Sequence, residues 1–175
     1  MPDHFQLIPA TTPAHFDDFK ALLHEYAKHD LDDTCHSTIW HDMAHLPGRY
    51  AQPGGLVLLA YQGVALAGCG AFVATSQAGM TELKRVYVRP AYRRQGLALA
   101  LTQALINQAR QNAWKTAAIC TWPHNTQALA LYQQLGFEPI PNFREADKAH
   151  LTFLGLPLIE TVQPPRQNPN PNDHP

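Results

Sequence analysis

At 175 residues, with 45% hydrophobic and 15% charged content, the chain can bury one substantial core, and a single domain is the simplest count. A formal net charge of −1 at pH 7 gives no support for binding to nucleic acid or to a membrane, because the positive charge is focused in one stretch. No apolar run approaches the roughly 18 residues of a membrane helix, and MPDHFQLIP lacks a basic region followed by an apolar one, so a soluble, cytoplasmic protein is expected.

In chain order, Phe5 to Pro9 reads as a first strand. Pro13 to His29 reads as a helix with Phe16, Phe19, Leu22, Leu23 and Tyr26 on its inner face. A second helix is expected from Ser37 to Leu46. His41 and His45 stand four apart on it with His36 nearby, but no cysteine or carboxylate pattern completes a ligand set, and no metal is expected. The cysteines Cys35, Cys69 and Cys120 are widely separated and form no CxxC pair, which fits buried thiols in a reducing compartment. Leu56 to Tyr61 and Val64 to Ala74 predict a hairpin across Gln62-Gly63, and Thr81 to Val88 predicts the next strand.

The run RVYVRPAYRRQGLALALTQALI, Arg85 to Ile106, then passes from strand through an arginine-rich turn and opens at Gly96 into an amphipathic helix. Its inner face is expected to carry Leu97, Ala100, Leu101, Ala104, Leu105 and Gln108. Orphan backbone N–H groups and the helix dipole favour an anion at such a terminus. Of the chain's 13 Lys and Arg residues, five (Lys84, Arg85, Arg89, Arg93 and Arg94) fall in positions 84 to 94, and phosphate is the anion this cluster suggests. A solvated charged turn is the alternative. The chain has no GxxxxGK[ST] loop and no GxGxxG after a strand, which excludes the common nucleotide-binding motifs.

Beyond it, Thr116 to Trp122 predicts a strand. Thr126 to Leu135 predicts a helix capped by Asn125 or Thr126 and stopped at Gly136, and His150 to Leu154 a last strand. After Leu156 the proline- and asparagine-rich composition cannot build a core, so residues 1–156 are expected to form the domain and 157–175 a flexible tail.

Arg93-Arg94-Gln95-Gly96-Leu97-Ala98 resembles the Q/R-x-x-G-x-G/A signature of the GCN5-related N-acetyltransferases, the GNAT superfamily. The strand ELKRVYV precedes it, and NTQALALYQQLGF, Asn125 to Phe137, repeats the family's second hallmark, N-x-x-A-x-x-L-Y-x-x-x-G-F. LLHEYA, LPGRYA and GLVLLAYQGVALAGCGAF look like one bacterial-type subgroup, so the resemblance spans roughly residues 5 to 155. It implies an α/β fold: one domain with a mixed, mostly antiparallel sheet flanked by helices. It also implies acetyl-CoA as acyl donor, with contacts from Val86, Tyr87, Val88, Arg93, Arg94, Gln95, Gly96, Leu97, Ala98 and Asn125. Ala98 stands where the second glycine is usual, and its methyl narrows the backbone approach. A homodimer is compatible with the family.

Acyl transfer to an amine needs a neutral nucleophile, a stabilised oxyanion and a proton for the leaving thiolate. Glu82 stands 14 residues before Gly96, where histone-acetylating relatives carry their base; the alternative is a partner for Lys84 or Arg85. Tyr132, with an ordinary pKa of about 10, is the candidate acid, or else an aromatic packed against its own helix face. A backbone N–H at Tyr87 or Val88 would serve the oxyanion. Asn125 is either a contact to the coenzyme or a helix cap, and Arg93 and Arg94 are phosphate partners or surface charges. The acceptor is expected to be a small-molecule amine, drawn in by Asp30, Asp32, Asp33, Asp42, Glu145 and Asp147. The competing readings are a peptide or protein amine, a covalent route through Cys120, and a non-catalytic acyl-CoA-binding module.

Overall fold

The run PAHFDDFKALLHEYAKH folds as helix α1, Pro13–His29, in the computed structural model, which describes residues 5–31, 37–144 and 150–159. The Thr12 hydroxyl caps it by accepting from the His15 N–H, and Pro13 occupies the first turn, where its missing N–H costs nothing. Phe19, Leu22, Leu23 and Ala27 are buried, while Phe16 and Tyr26 are only partly so. Tyr26 tilts instead against the ring of Tyr87, with centroids 5.7 Å apart.

Helix α2, Ile39–Ala44, is shorter than the expected Ser37 to Leu46. Ser37 lies ahead of it and accepts from the Ile39 N–H. Pro47 cannot continue a helix, and a 3-10 turn, Gly48–Tyr50, follows instead. Strands β1, Gln6–Pro9, β2, Gly55–Gln62, β3, Ala65–Ala74, and β4, Met80–Val88, form consecutive antiparallel pairs. Helix α3, Leu97–Gln111, crosses back to β5, Thr116–Thr121, which joins β4 in parallel. Helix α4, Thr126–Gln134, leads to the two-residue edge strand β6, Glu138–Pro139, and then to β7, Thr152–Pro157. The seven-stranded sheet has the order β1-β2-β3-β4-β5-β7-β6, and every pairing except β4–β5 is antiparallel.

The expected α/β class with a mostly antiparallel sheet is therefore present, with helices on both faces. One core joins α3 and the inner side of α4 to Leu56, Leu58, Phe72 and Leu83; the other joins α1 and α2 to Val57, Leu59, Ala71 and Val73. Adjacent residues of β2 thus enter opposite cores, as strand pleating requires.

Two expectations shift in detail. The buried stripe of α3 is Leu97, Leu101, Thr102, Leu105, Ile106 and Ala109, so Ala100 faces solvent and Thr102 returns its hydroxyl to the Ala98 carbonyl at 2.8 Å. The helix lies close to β3 because Gly70 has no side chain: a Cβ there would sit 2.9 Å from Leu105 Cδ1. The last strand runs later than His150 to Leu154, and Leu158 remains buried with its N–H on the Lys115 carbonyl, so packing continues past the expected boundary at 156. Residues 160–175 of the expected tail, together with Asp32, Asp33, Cys35, His36, Glu145, Asp147 and Lys148, lie outside the described residues. Among the described residues, no helix is long and apolar enough to cross a membrane.

A buried charge network pins α2 to β4. Asp42 on α2 accepts from Arg85 at 2.9 Å and from the Tyr50 hydroxyl at 2.6 Å, and lies 3.2 Å from Arg49 Nε. Burial pushes the Asp42 carboxyl up, but the hydrogen bonds from Tyr50 and Arg85 and the charges of Lys84 and Arg49 outweigh it and hold it at about 2. With the Asp42 and Arg85 side chains only 2% and 7% exposed, removing one leaves the other a buried unpaired charge.

Asp42→Ala should therefore lose about 3–5 kcal/mol of stability, and Asp42→Leu with Arg85→Leu should lose less than the two single changes summed. Urea denaturation measures both, and a single-change loss below about 1 kcal/mol, the surface-pair range, would show that the network does not hold the fold. Because the folded-state pKa lies below the ordinary 3.8, the stabilisation is complete above that value and fades as pH falls through about 2.

Candidate active site

The site begins where two strands part. β4 and β5 pair through Met80↔Thr116, Thr81↔Ala117 and Glu82↔Ala118, and no further. Among the described residues, the edge of β4 beyond Glu82 has no strand beside it, so its backbone groups on that side are open to a ligand. The opening is sharpened by a bulge: Cys69↔Tyr87 and Ala71↔Lys84 are paired with a register shift between them, and Arg85 is left-handed at φ 61°. The Arg89 N–H returns to Ala67 O on β3 at 2.9 Å. Successive strand residues alternate sides, so the backbone groups of Val88 point to the open edge. Arg93 Nε donates to Val88 O there at 2.9 Å, consistent with that direction.

Four of the sequence-predicted residues, Glu82, Val86, Asn125 and Tyr132, line the resulting cleft. Tyr87 and Val88 sit beside it on β4 with their side chains in the two cores. The signature turn, 93–98, lies at the start of α3 and does not line this cavity. Gly96 caps α3 at φ 79° with no capping side chain, and the first helical hydrogen bond comes from Ala100 N to Gly96 O at 3.0 Å. The first-turn N–H groups therefore point out of the helix end, the geometry that receives an anion. A Cβ on Gly96 would meet nothing within 4 Å, so the left-handed backbone and not crowding selects glycine. Leu97 is buried and seats the helix start, and Ala98 is partly buried beside it.

The cation cluster resolves into separate ion pairs. Lys84 lies near Glu82, Arg85 binds Asp42, Arg89 makes a two-pronged pair with Glu25, and Arg93 reaches Asp30 at 2.5 Å while lying over the Tyr87 ring. These four serve carboxylates of the fold, whereas Arg94, exposed and left-handed at φ 63°, has no ion pair among the described residues. Gln95 donates to the Ala91 carbonyl at 3.3 Å. Two of the acids expected to draw in a cationic amine are committed likewise: Asp42 is buried in its network and Asp30 is held by Arg93.

Glu82 closes the apex of the cleft, 6% exposed. One carboxylate oxygen, Oε1, is ion-paired with Arg144, and the other, Oε2, lies 3.9 Å from Lys84 Nζ. Arg85, the other partner foreseen for Glu82, turns to Asp42. Burial drives the Lys84 ammonium down, Glu82 opposes it, and the positive charges of Arg85, Arg49 and Arg144 add to the fall, leaving it at about 7. Arg144 is placed by its neighbour Phe143, which is buried edge-on against Phe153 with centroids 5.4 Å apart. Tyr132, which lines the same cleft, packs against Phe137, and burial, helped by Tyr26, raises its phenol to about 12. The expected ordinary value near 10 is thus exceeded, and the hydroxyl is held more firmly protonated. Asn125 does cap α4, accepting from the Ala128 N–H at 3.3 Å, and stands at the cleft as well. Cys120 lines the cleft from β5, whereas Cys69 is buried and its thiol is pushed up by burial.

Sequence reasoning missed Lys84 and Arg144 as cleft residues. Lys84 was detectable: it stands two residues from Glu82 on a strand and so shares its face. Arg144 lies 62 residues away in sequence, and no local pattern marks it.

Residues 16–137 match the family model described as acetyltransferase (GNAT) family. An uncharacterised N-acetyltransferase of Schizosaccharomyces pombe is 29% identical over 151 residues, covering 81% of this chain and 92% of that protein. A Klebsiella pneumoniae structure described as a candidate acyl-CoA N-acyltransferase superposes with a TM-score of 0.67 at 28% identity, covering 90% of this chain and 99% of the other. A candidate acetyltransferase from Salmonella typhimurium, solved with its cofactor acetyl-CoA, shares the fold with a TM-score of 0.69 at 22% identity, covering 92% of this chain and 98% of its own.

The electrostatics of the apex can be checked directly. Lys84 should titrate at about 7 in NMR of carbon-13-methylated lysines, and Glu82→Gln should lower that value by removing the charge that favours the ammonium. A Lys84 resonance titrating near the ordinary value of about 10.4 would show that the apex is wetter than this geometry implies.

Proposed function

Since the chain belongs to the acetyltransferase (GNAT) family, we propose that it moves an acetyl group from acetyl-CoA to the primary amine of a small molecule, directly and within a ternary complex. The observation that carries this reading is the parting of β4 and β5, which sets a buried carboxylate at the apex of a cleft that a protonated phenol also lines. A binding module would need neither group.

The residues fit the coenzyme. The uncapped N–H groups at the start of α3, with Gly96 left-handed and open in front of them, suit a pyrophosphate, and Arg94 is the guanidinium at hand. Val86 and Val88, on either side of Tyr87, offer the open edge of β4 to the pantetheine, with Asn125 lining the same cleft, and the Val88 N–H is the donor for the thioester carbonyl. The Salmonella protein of the same fold is solved with acetyl-CoA, which supports this coenzyme as the donor. Acetyl-CoA supplies an acyl group activated as a thioester.

This chain's side chains then manage protons. Glu82 accepts one from the acceptor's ammonium, directly or through water, so that the amine can attack. The new C–N bond forms as the C–S bond breaks, and the Tyr132 hydroxyl gives its proton to the departing sulfur. The proton still carried by the acylated nitrogen passes through water to the Tyr132 phenolate, and Glu82 releases its proton to solvent, so both groups are restored. Because its pKa is about 12, Tyr132 remains a donor across the physiological pH range. Cys120 has no step in this scheme.

Glu82→Gln should cut turnover about tenfold or more while leaving acetyl-CoA binding intact by calorimetry, and Tyr132→Phe should lower kcat with little change in the KM for acetyl-CoA. Cys120→Ala should retain full thiol release; its loss, with an acyl-enzyme trapped on the wild-type thiol, would replace direct transfer by a covalent route. Unchanged turnover in both the Glu82 and Tyr132 variants would remove their assigned roles.

A further inference from the structure

The apex of the cleft carries a charge pattern that the transfer reaction does not require. Glu82 stands between two cations, Arg144 on one oxygen and Lys84 beside the other. One carboxylate facing two cations leaves this wall positive. Among the described residues, Arg144 Nε is buried without a hydrogen-bond partner, and Lys84 Nζ stands 3.9 Å from Glu82, beyond hydrogen-bond reach. Buried donors without acceptors are costly, and costlier when charged. The neighbouring Arg85 contrasts with them, fully engaged by Asp42, Thr38 and Tyr50. The nearby carboxylates Asp42 and Asp30 are committed to other partners, so no acid of the described cleft wall is left for these donors.

On the acetyl-transfer reading, the acceptor nitrogen must come to Glu82. Whatever is bonded near that nitrogen then meets Arg144 or Lys84. A second amine, as in a polyamine, would be repelled there. A peptide N-terminus would present only a neutral carbonyl. A carboxylate one carbon away from the nitrogen would meet the exposed part of the Arg144 guanidinium, whose side chain is 29% exposed and lines the cleft, and the Lys84 ammonium together, while its own ammonium rests on Glu82. Charges of the zwitterion and of the wall alternate in the same sense, and guanidinium with carboxylate is the geometrically matched pair.

We infer that the acceptor is a free α-amino acid or a close analogue with a carboxylate beside its amino group, and that Arg144 and Lys84 are its carboxylate anchor. This inference rests on the acetyl-transfer reading and specifies its acceptor half. It replaces attraction of a cationic amine by surface acids with recognition of a zwitterion by a buried, positively biased wall.

The test is thiol release from acetyl-CoA with matched sets of α-amino acid, its amide and its decarboxylated amine, across apolar, acidic and basic side chains. For the preferred side chain, the free acid should exceed both analogues about tenfold or more in kcat/KM, because a site built to pair a group rejects analogues lacking it. Arg144→Gln and Lys84→Met should each raise the KM for the acid several-fold, leave the KM for acetyl-CoA unchanged, and narrow the preference over the amide. Amide or amine used as well as the acid, or a preference untouched in both variants, overturns the inference while acetyl transfer stands. Calorimetry with N-acetyl amino acids on the CoA-loaded protein decides the case where no compound turns over: binding that requires the carboxylate supports the anchor, and no binding overturns it. Failure to bind acetyl-CoA at all would overturn the parent reading instead.

Discussion

The site depends on a parallel pairing that stops after three residue pairs. If β4 and β5 continued side by side past Glu82 and Ala118, the sheet would be closed and the Val88 backbone groups would be bonded to a strand. Because they part, β4 gains an open edge beside the start of α3, and Glu82 becomes the floor of a cleft instead of a residue within a sheet. The bulge at Arg85 turns the outer half of β4 away, and the Asp42 network holds that bulge against α2. The opening is thus fixed by packing on both sheet faces.

Charge is distributed to suit this arrangement. Most of the cations in the arginine-rich stretch pair with carboxylates from α1, α2 and β4, which ties the first half of the chain to the strand that bears the site. The anion-binding capacity at the start of α3 therefore resides in backbone amides and the helix dipole more than in guanidinium groups. A backbone site of this kind is rigid and needs few side chains, whereas the cleft wall around Glu82 is made of charged side chains.

The local elements were legible because their signals are local. Thr12-Pro13 starts α1 and Asn125 caps α4, and the strands of the central hairpin follow from their apolar runs. Misjudged elements were those decided by contacts. The second helix is cut short near Pro47 and is held by Asp42, and the α3 stripe is turned toward Gly70, where a missing Cβ admits Leu105. Of the cleft residues, Glu82, Asn125 and Tyr132 were visible by motif and spacing. Lys84 was visible in principle through the period of a strand. Arg144 was not, since it reaches Glu82 only after the chain has run through α3, β5, α4 and β6.

By itself the sequence determined the fold class, the succession of elements apart from the short β6, and the left-handed glycine that opens α3, because periodicity, caps and turn residues act within a few residues. Tertiary structure alone decided which charges meet. It assigned the cations to separate acids, withdrew Asp42 and Asp30 from substrate, raised Tyr132 and lowered Lys84, and placed Arg144 on Glu82. The physical reason is that burial and ion pairing depend on distances across the sheet, which strand order and the parting of β4 from β5 set and which no local pattern encodes.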